Sequence, residues 1–97
     1  MDSQGIVQAI EQVQHPEIKN TLVELGMVQD IQVDGEQVTL RLVLPFMGIP
    51  ASVRDYMVEA LQQVAASKGA NLDVSLDEMT PAERERFFHL EQQNWIS

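Results

Sequence analysis

The residues in this chain best suited to chemistry are His15 and Glu17, which flank Pro16 in a segment that the proline keeps extended. An imidazole and a carboxylate at this spacing could bind a metal ion together or act as a proton-transfer pair. Two ligands are too few for a metal site, and the second histidine, His89, is distant in sequence. The simpler interpretation is a helix terminus, where His15 interacts favourably with the negative end of the helix dipole.

The chain contains no cysteine, so it offers no disulfide, no thiolate nucleophile and no thiolate ligand for a metal centre. Its serines form no Gly-x-Ser-x-Gly elbow, and Gly48 belongs to no phosphate-loop pattern. Pro50 is interpreted instead as pre-setting the start of a helix. We therefore predict no catalytic residue, no cofactor and no metal, and we expect the protein not to be an enzyme.

Charge and hydropathy narrow the class of partner. Fifteen acidic residues against six scattered basic ones give a net charge of −9, which argues against nucleic acid and anionic membranes as partners. The 44% hydrophobic content predicts a single folded domain over residues 1–97. No apolar run approaches the roughly 20 residues of a membrane span, and the first residues lack a signal peptide, so a cytoplasmic location is expected.

Helical spacing of apolar residues predicts helices over residues 3–14 and 51–68, with a short helical turn over residues 18–25 that Gly26 ends. The run Thr80-Pro81-Ala82-Glu83 predicts the capped start of a last helix that continues to about residue 93. Beyond it, Trp95 either packs on its own domain or serves as an aromatic anchor for a partner or a second copy.

Alternating apolar residues predict strands over residues 28–34, 37–44 and 71–77, the first two joined by an Asp34-Gly35 hairpin turn. In the third strand, Leu72, Val74 and Leu76 share one face. A right-handed crossover through the second long helix makes the third strand parallel to its neighbour. The predicted fold is α+β: a two-layer sandwich in the order α-β-β-α-β-α, with a small mixed three-stranded sheet and helices mainly on one face.

Four short runs of residues resemble those of a known family. The runs His15-Pro16-Glu17-Ile18, Leu22-Val23-Glu24-Leu25-Gly26-Met27-Val28 and Asp30-Ile31 resemble the pattern Asp-Pro-Glu-hydrophobic, Val-Asp-Leu-Gly-Leu-Val and an acidic or polar pair. That pattern is typical of the small metal-sulfur cluster biosynthesis family, also labelled domain of unknown function fifty-nine. The resemblance extends through the hairpin to the loop before the second long helix, which reads Phe46-Met47-Gly48-Ile49-Pro50 where the family commonly has Thr-x-Pro-Gly-Cys-Pro. It then continues over that helix and the third strand.

The resemblance implies a small α+β protein linked to iron–sulfur cluster assembly or to cluster transfer into target enzymes. The family's active aspartate falls on His15 and its loop cysteine on Ile49, while Glu17, Gly26 and Gly48 match. Isoleucine cannot ligate iron, so any shared role must depend on surface contacts. The expected partner surface consists of His15, Glu17, Phe46, Met47, Gly48 and Ile49.

Three functions remain open at this point. The first is a non-enzymatic accessory or adaptor that contacts the iron–sulfur assembly machinery or a client enzyme, as a monomer or a homodimer. The second is a protein-interaction or dimerisation module that kept the fold and lost the iron–sulfur role. The third is a metal or small-ligand binder that uses His15, Glu17 and His89.

Overall fold

The computed structural model describes residues 3–95, which form three helices and one three-stranded sheet. The elements in chain order are α1 (Ser3–Glu11), β1 (Val28–Asp34), β2 (Gln37–Leu44), α2 (Ala51–Ser67), β3 (Asn71–Glu78) and α3 (Pro81–Asn94). The predicted α+β class and the order α-β-β-α-β-α are confirmed. No helix within the described residues has the length and apolarity needed to cross a membrane.

The strands lie side by side in the order β1-β2-β3. β1 and β2 form an antiparallel hairpin, and β3 pairs with β2 in parallel after the crossover through α2, as predicted. The hairpin turn is displaced by one residue from the prediction. Asp34 pairs with Gln37, so the two turn residues are Gly35 and Glu36, and only Gly35 needs a positive φ, of 62°.

β1 contains a bulge that period-two alternation does not reveal. The pairs Gln29↔Arg41 and Gln32↔Thr39 leave two residues of β1 opposite one residue of β2. The first of the two, Asp30, has a φ of 56°, a conformation that aspartate tolerates better than most residues. Its carboxylate lies 2.7 Å from Arg41 Nε as an ion pair that is not aligned as a hydrogen bond. The bulge therefore aims Asp30 at the neighbouring strand.

The chain between α1 and β1 is less helical than predicted. α1 ends at Glu11, and the chain then bridges back on itself between Gln14 and Thr21. The helical turn covers only residues 21–26. It begins with reciprocal hydrogen bonds between Thr21 and Glu24, of 2.8 and 3.1 Å. It ends at Gly26, with a φ of 76° and a Met27 N–H that donates to Leu22 O, which is a Schellman motif.

The long helices begin where they were predicted to begin. Pro50 occupies the N-cap position of α2, with ψ of 134° and no side-chain capping hydrogen bond, directly before the predicted first helical residue, Ala51. Gly69 follows the C-terminus of α2 with a φ of 76°. α3 has the predicted capping box: Glu83 N–H donates to Thr80 Oγ1, and Thr80 N–H donates to the Glu83 carboxylate.

One hydrophobic core fills the space between the sheet and the helices. Its members from the helices include Ile6, Ile10, Met57 and Leu61, all with 1% exposure or less. Leu72, Val74 and Leu76 lie on one face of β3, as predicted, but the core covers only the first part of that face. Exposure rises along β3 from 8% at Leu72 to 43% at Leu76, as the strand runs away from its connection to α2.

α3 connects two irregular parts of the chain. Near its C-terminus, Lys19 N–H donates to Asn94 O at 2.8 Å, and Asn94 Nδ2 donates to Asn20 Oδ1 at the same distance. Near its N-terminus, Arg84 Nε donates to Pro45 O at 2.7 Å. The helix is thereby fixed to the segment after α1 and to the loop after β2, and these two segments carry the predicted partner surface.

Candidate functional site

An apolar groove lies where the segment after α1, the loop after β2 and α3 meet. It has a volume of about 140 Å³ and is far more apolar than polar. We refer to it as the α3 groove. Its lining residues are His15, Glu17, Met27, Pro45, Phe46, Ile49, Pro50, Val53, Phe87, Phe88, Glu91 and Trp95.

His15 is buried in the wall of the α3 groove, with 7% exposure. The Glu17 N–H donates to His15 Nδ1 at 3.0 Å, so the ring accepts through that nitrogen. Burial lowers the pKa of His15 from 6.5 to about 4. The ring is therefore neutral at pH 7 and carries its proton on Nε2.

This state of His15 excludes two interpretations made from the sequence. A neutral ring cannot interact as a cation with the helix dipole, and α1 ends well before it, at Glu11. The contact between His15 and Glu17 is also made by the Glu17 backbone, not by its carboxylate. The two side chains therefore form no proton-transfer pair in this structure.

Glu17 and Glu91 are the acidic residues of the groove lining. Both residues are half-buried. Within residues 3–95 neither carboxylate makes a hydrogen bond or an ion pair. The hydrogen bond from Glu17 to His15 is donated by the Glu17 backbone N–H. Two acidic side chains without a protein cation make this apolar groove electronegative.

Aromatic rings form much of the wall on the α3 side. Phe87 and Phe88 make an edge-to-face contact, with ring centroids 5.7 Å apart and planes at 67°. Phe46 faces them from the loop and is 45% exposed. Trp95 forms an isolated backbone bridge with Ile18 and remains 47% exposed. Trp95 thus docks on its own domain through its backbone while it still offers an exposed aromatic surface.

The groove assembles four of the six residues predicted for the partner surface, namely His15, Glu17, Phe46 and Ile49. Ile49 is half-buried in the lining. Met47 and Gly48 lie outside the lining, on the exposed side of the loop. Met47 is 54% exposed, and its N–H donates to Glu78 Oε2 at 3.3 Å.

Several lining residues were missed from the sequence, above all Phe88 and Glu91. With Trp95 they follow a helical spacing of three and four residues, which could have placed them on one face of α3. Their position beside His15 depends on how α3 packs. The third residue of the proposed ligand set, His89, is exposed and lies outside the lining, so His15, Glu17 and His89 do not assemble. Within the described residues, no three histidine or acidic side chains form a metal-binding group.

The fold and the groove define a small α+β protein with an apolar cleft that is lined by two acidic residues. The family model for iron–sulfur cluster assembly proteins matches residues 3–74. The match covers well over half of the chain, which therefore belongs to that family and has a role related to iron–sulfur cluster assembly. No curated protein matches the chain.

The groove residues do not fit an iron–sulfur cluster. Clusters are held by thiolates, in some cases with histidine, and this chain has no cysteine. At the position of the family's loop cysteine, the half-buried Ile49 presents hydrocarbon to the groove. Moreover, the family match ends at Val74, so the aromatic wall from α3 lies beyond the matched region.

Proposed function

We propose that this protein is a non-enzymatic accessory or adaptor of iron–sulfur cluster assembly, and that it acts through protein contacts at the α3 groove. The observation that carries the proposal is the composition of the groove. His15 and Ile49, which stand at the positions of the family's aspartate and cysteine, line it together with the aromatic wall of α3. Any cluster is then held by the partner's own ligands.

The groove leaves apolar surface exposed to solvent, and this supports the proposal. Phe46 and Trp95 are each nearly half exposed although both line the same concave site. Aromatic side chains of this kind are enriched among the residues that dominate protein–protein binding energy. A groove lined by such rings supports binding of a protein segment better than it supports polar catalysis.

The partners that we propose are the assembly machinery or a client enzyme that receives a cluster. The cytoplasmic location and the monomeric or homodimeric state stay predictions from the sequence. Cell fractionation and light scattering at several protein concentrations test them directly.

Affinity purification from the native cell tests the proposal. Phe46→Asp places a charge at the mouth of the groove, while Tyr56→Asp makes the same kind of change at an exposed aromatic residue of α2 outside the groove. Wild-type protein and Tyr56→Asp should retain a cluster-assembly or cluster-containing partner that Phe46→Asp loses. Recovery of equal partner sets with all three proteins would contradict the proposal.

The alternative is a protein-interaction module with no role in the iron–sulfur pathway. Ile49 favours this alternative, because the position of the family's loop cysteine holds a side chain that cannot bind a metal. It predicts a groove-dependent partner with no link to cluster assembly. It also predicts unchanged cluster content of client enzymes when the gene is deleted, whereas the adaptor role predicts a decrease.

A further inference from the structure

We propose that the α3 groove binds an extended, basic segment of the partner, in which an apolar side chain enters the groove and neighbouring lysine or arginine side chains meet Glu17 and Glu91. This inference deepens the proposed function in that it uses the same site, but it concerns the chemistry of the bound segment and not the pathway.

Within the described residues, the two groove carboxylates lack a cation. Glu17 and Glu91 are half-buried in an apolar lining, and neither carboxylate has a protein partner within residues 3–95. A segment that binds over the groove removes water from both carboxylates, and this is unfavourable unless the segment supplies a cation. A neutral or acidic segment would incur this cost without compensation.

The groove lining contains no cation that could compete with a ligand for these carboxylates. The lining residues include no lysine or arginine, and the one histidine is neutral. Of the cations near the groove, Arg84 is engaged elsewhere, because Nε donates to Pro45 O at 2.7 Å and Nη2 to Met79 O at 3.4 Å. Lys19 is exposed and, within the described residues, forms no ion pair with either carboxylate. The positive charge that Glu17 and Glu91 lack is therefore left for a ligand to supply.

Charge also decides against a second copy of this chain as the occupant. Each copy has a net charge of −9, so two copies repel each other and would bring the acidic groove lining against another acidic surface. A basic segment is instead attracted at long range by the whole molecule and at short range by the two groove carboxylates.

The free donor of His15 favours a segment with an extended backbone. Its Nδ1 accepts from Glu17 N–H, so the neutral ring has its donor at Nε2, and Nε2 has no hydrogen-bond partner within the described residues. A donor in an apolar wall matches a backbone carbonyl, which an extended segment offers at every residue. The groove volume of about 140 Å³ is suited to one large apolar side chain.

Two peptides without tryptophan serve as probes for the full-length protein: acetyl-Gly-Lys-Leu-Lys-Phe-Lys-Gly-amide and its counterpart with glutamate in place of each lysine. Binding is followed through Trp95, the single tryptophan of the chain, which lines the groove. The basic peptide should shift the Trp95 emission and bind at least about tenfold more tightly than the acidic one. Its Kd should rise at least about threefold between roughly 50 and 500 mM NaCl, because salt screens half-exposed charge pairs.

The double variant Glu17→Gln/Glu91→Gln separates groove charge from net charge. It should reduce the preference for the basic peptide at least about threefold. The matched control Glu36→Gln/Glu59→Gln changes the net charge equally at exposed positions outside the groove, and it should keep the preference. Equal loss in both double variants, or equal binding of the two peptides to wild type, overturns the inference.

These outcomes are distinct from failure of the proposed function. A cluster-assembly partner that requires Phe46 but binds without regard to salt or to Glu17 would leave the adaptor role standing and refute the basic segment. Selective binding of the basic peptide together with a partner set unrelated to iron–sulfur proteins would support the basic segment and refute the adaptor role.

Discussion

Acidification should destabilise the protein through His15 before most carboxylates are protonated. The pKa of this ring is about 4 when folded, against 6.5 for the unperturbed group, because burial disfavours its charged form. Between these values the unfolded chain binds a proton that the folded chain does not, so folding stability is lost as the pH falls. Linkage gives a loss of about 2 kcal/mol between pH 7 and pH 5, and roughly 3 kcal/mol once both states are protonated.

Urea unfolding followed by circular dichroism at about pH 7 and about pH 5 measures this loss, in wild type and in His15→Asn. Asparagine does not titrate, and its side-chain oxygen can still accept from Glu17 N–H. The difference between the two proteins removes the contributions of other groups, including Glu24 and Glu83, whose backbone hydrogen bonds lower their pKa.

The variant should lose about 2 kcal/mol less than wild type over this interval. The exposed-site control His89→Asn should behave like wild type, because His89 lies outside the groove. An equal pH dependence in wild type and His15→Asn would refute the buried neutral imidazole, and with it the donor assigned to Nε2.

Three further predictions concern stability and are measured by the same unfolding experiment at pH 7. Gly26→Ala should cost about 1–2 kcal/mol because Gly26 has a φ of 76°. Gly48→Ala should change stability by less than about 0.5 kcal/mol, because Gly48 has no positive φ and the added Cβ would make only an ordinary van der Waals contact with Phe46. Thr80→Ala should cost about 1 kcal/mol by removing the hydroxyl that caps α3, and Thr80→Ser should restore most of it. Leu61→Ala should cost about 2–5 kcal/mol because Leu61 is fully buried. Equal effects of the two glycine changes would contradict the positive φ of Gly26. A lack of rescue by serine would contradict the capping role of the Thr80 hydroxyl, and a negligible cost at Leu61 would contradict its burial.

Features fixed by local chemistry were predictable from the sequence. The capping box of α3 and the Schellman glycine at Gly26 each depend on residues within a few positions of one another. The bulge at Asp30 was not predictable, because its conformation is tied to Arg41 on another strand. The exposure of Leu76 was missed for a related reason: alternation identifies a strand face but not how far a helix covers it.

The candidate site was also predictable in its local segments and not in its long-range assembly. The resemblance to the family indicated both the His15–Glu17 segment and the loop at Ile49, yet neither segment predicts the other's position in space. Their assembly depends on long-range contacts of α3, such as those from Arg84 to Pro45 and from Lys19 to Asn94. Since α3 lies beyond the family match, the aromatic wall could not be inferred from the resemblance.

The two departures from the family pattern are physically consistent with each other, because His15 and Ile49 line the same groove. An aspartate at position 15 would add a third carboxylate to a lining that already holds Glu17 and Glu91 without a cation. A histidine that burial keeps neutral avoids that repulsion and still provides a donor. With isoleucine at the loop position, the groove thus combines apolar contact, one neutral donor and two unpaired carboxylates, which suits a basic protein segment better than a metal cluster.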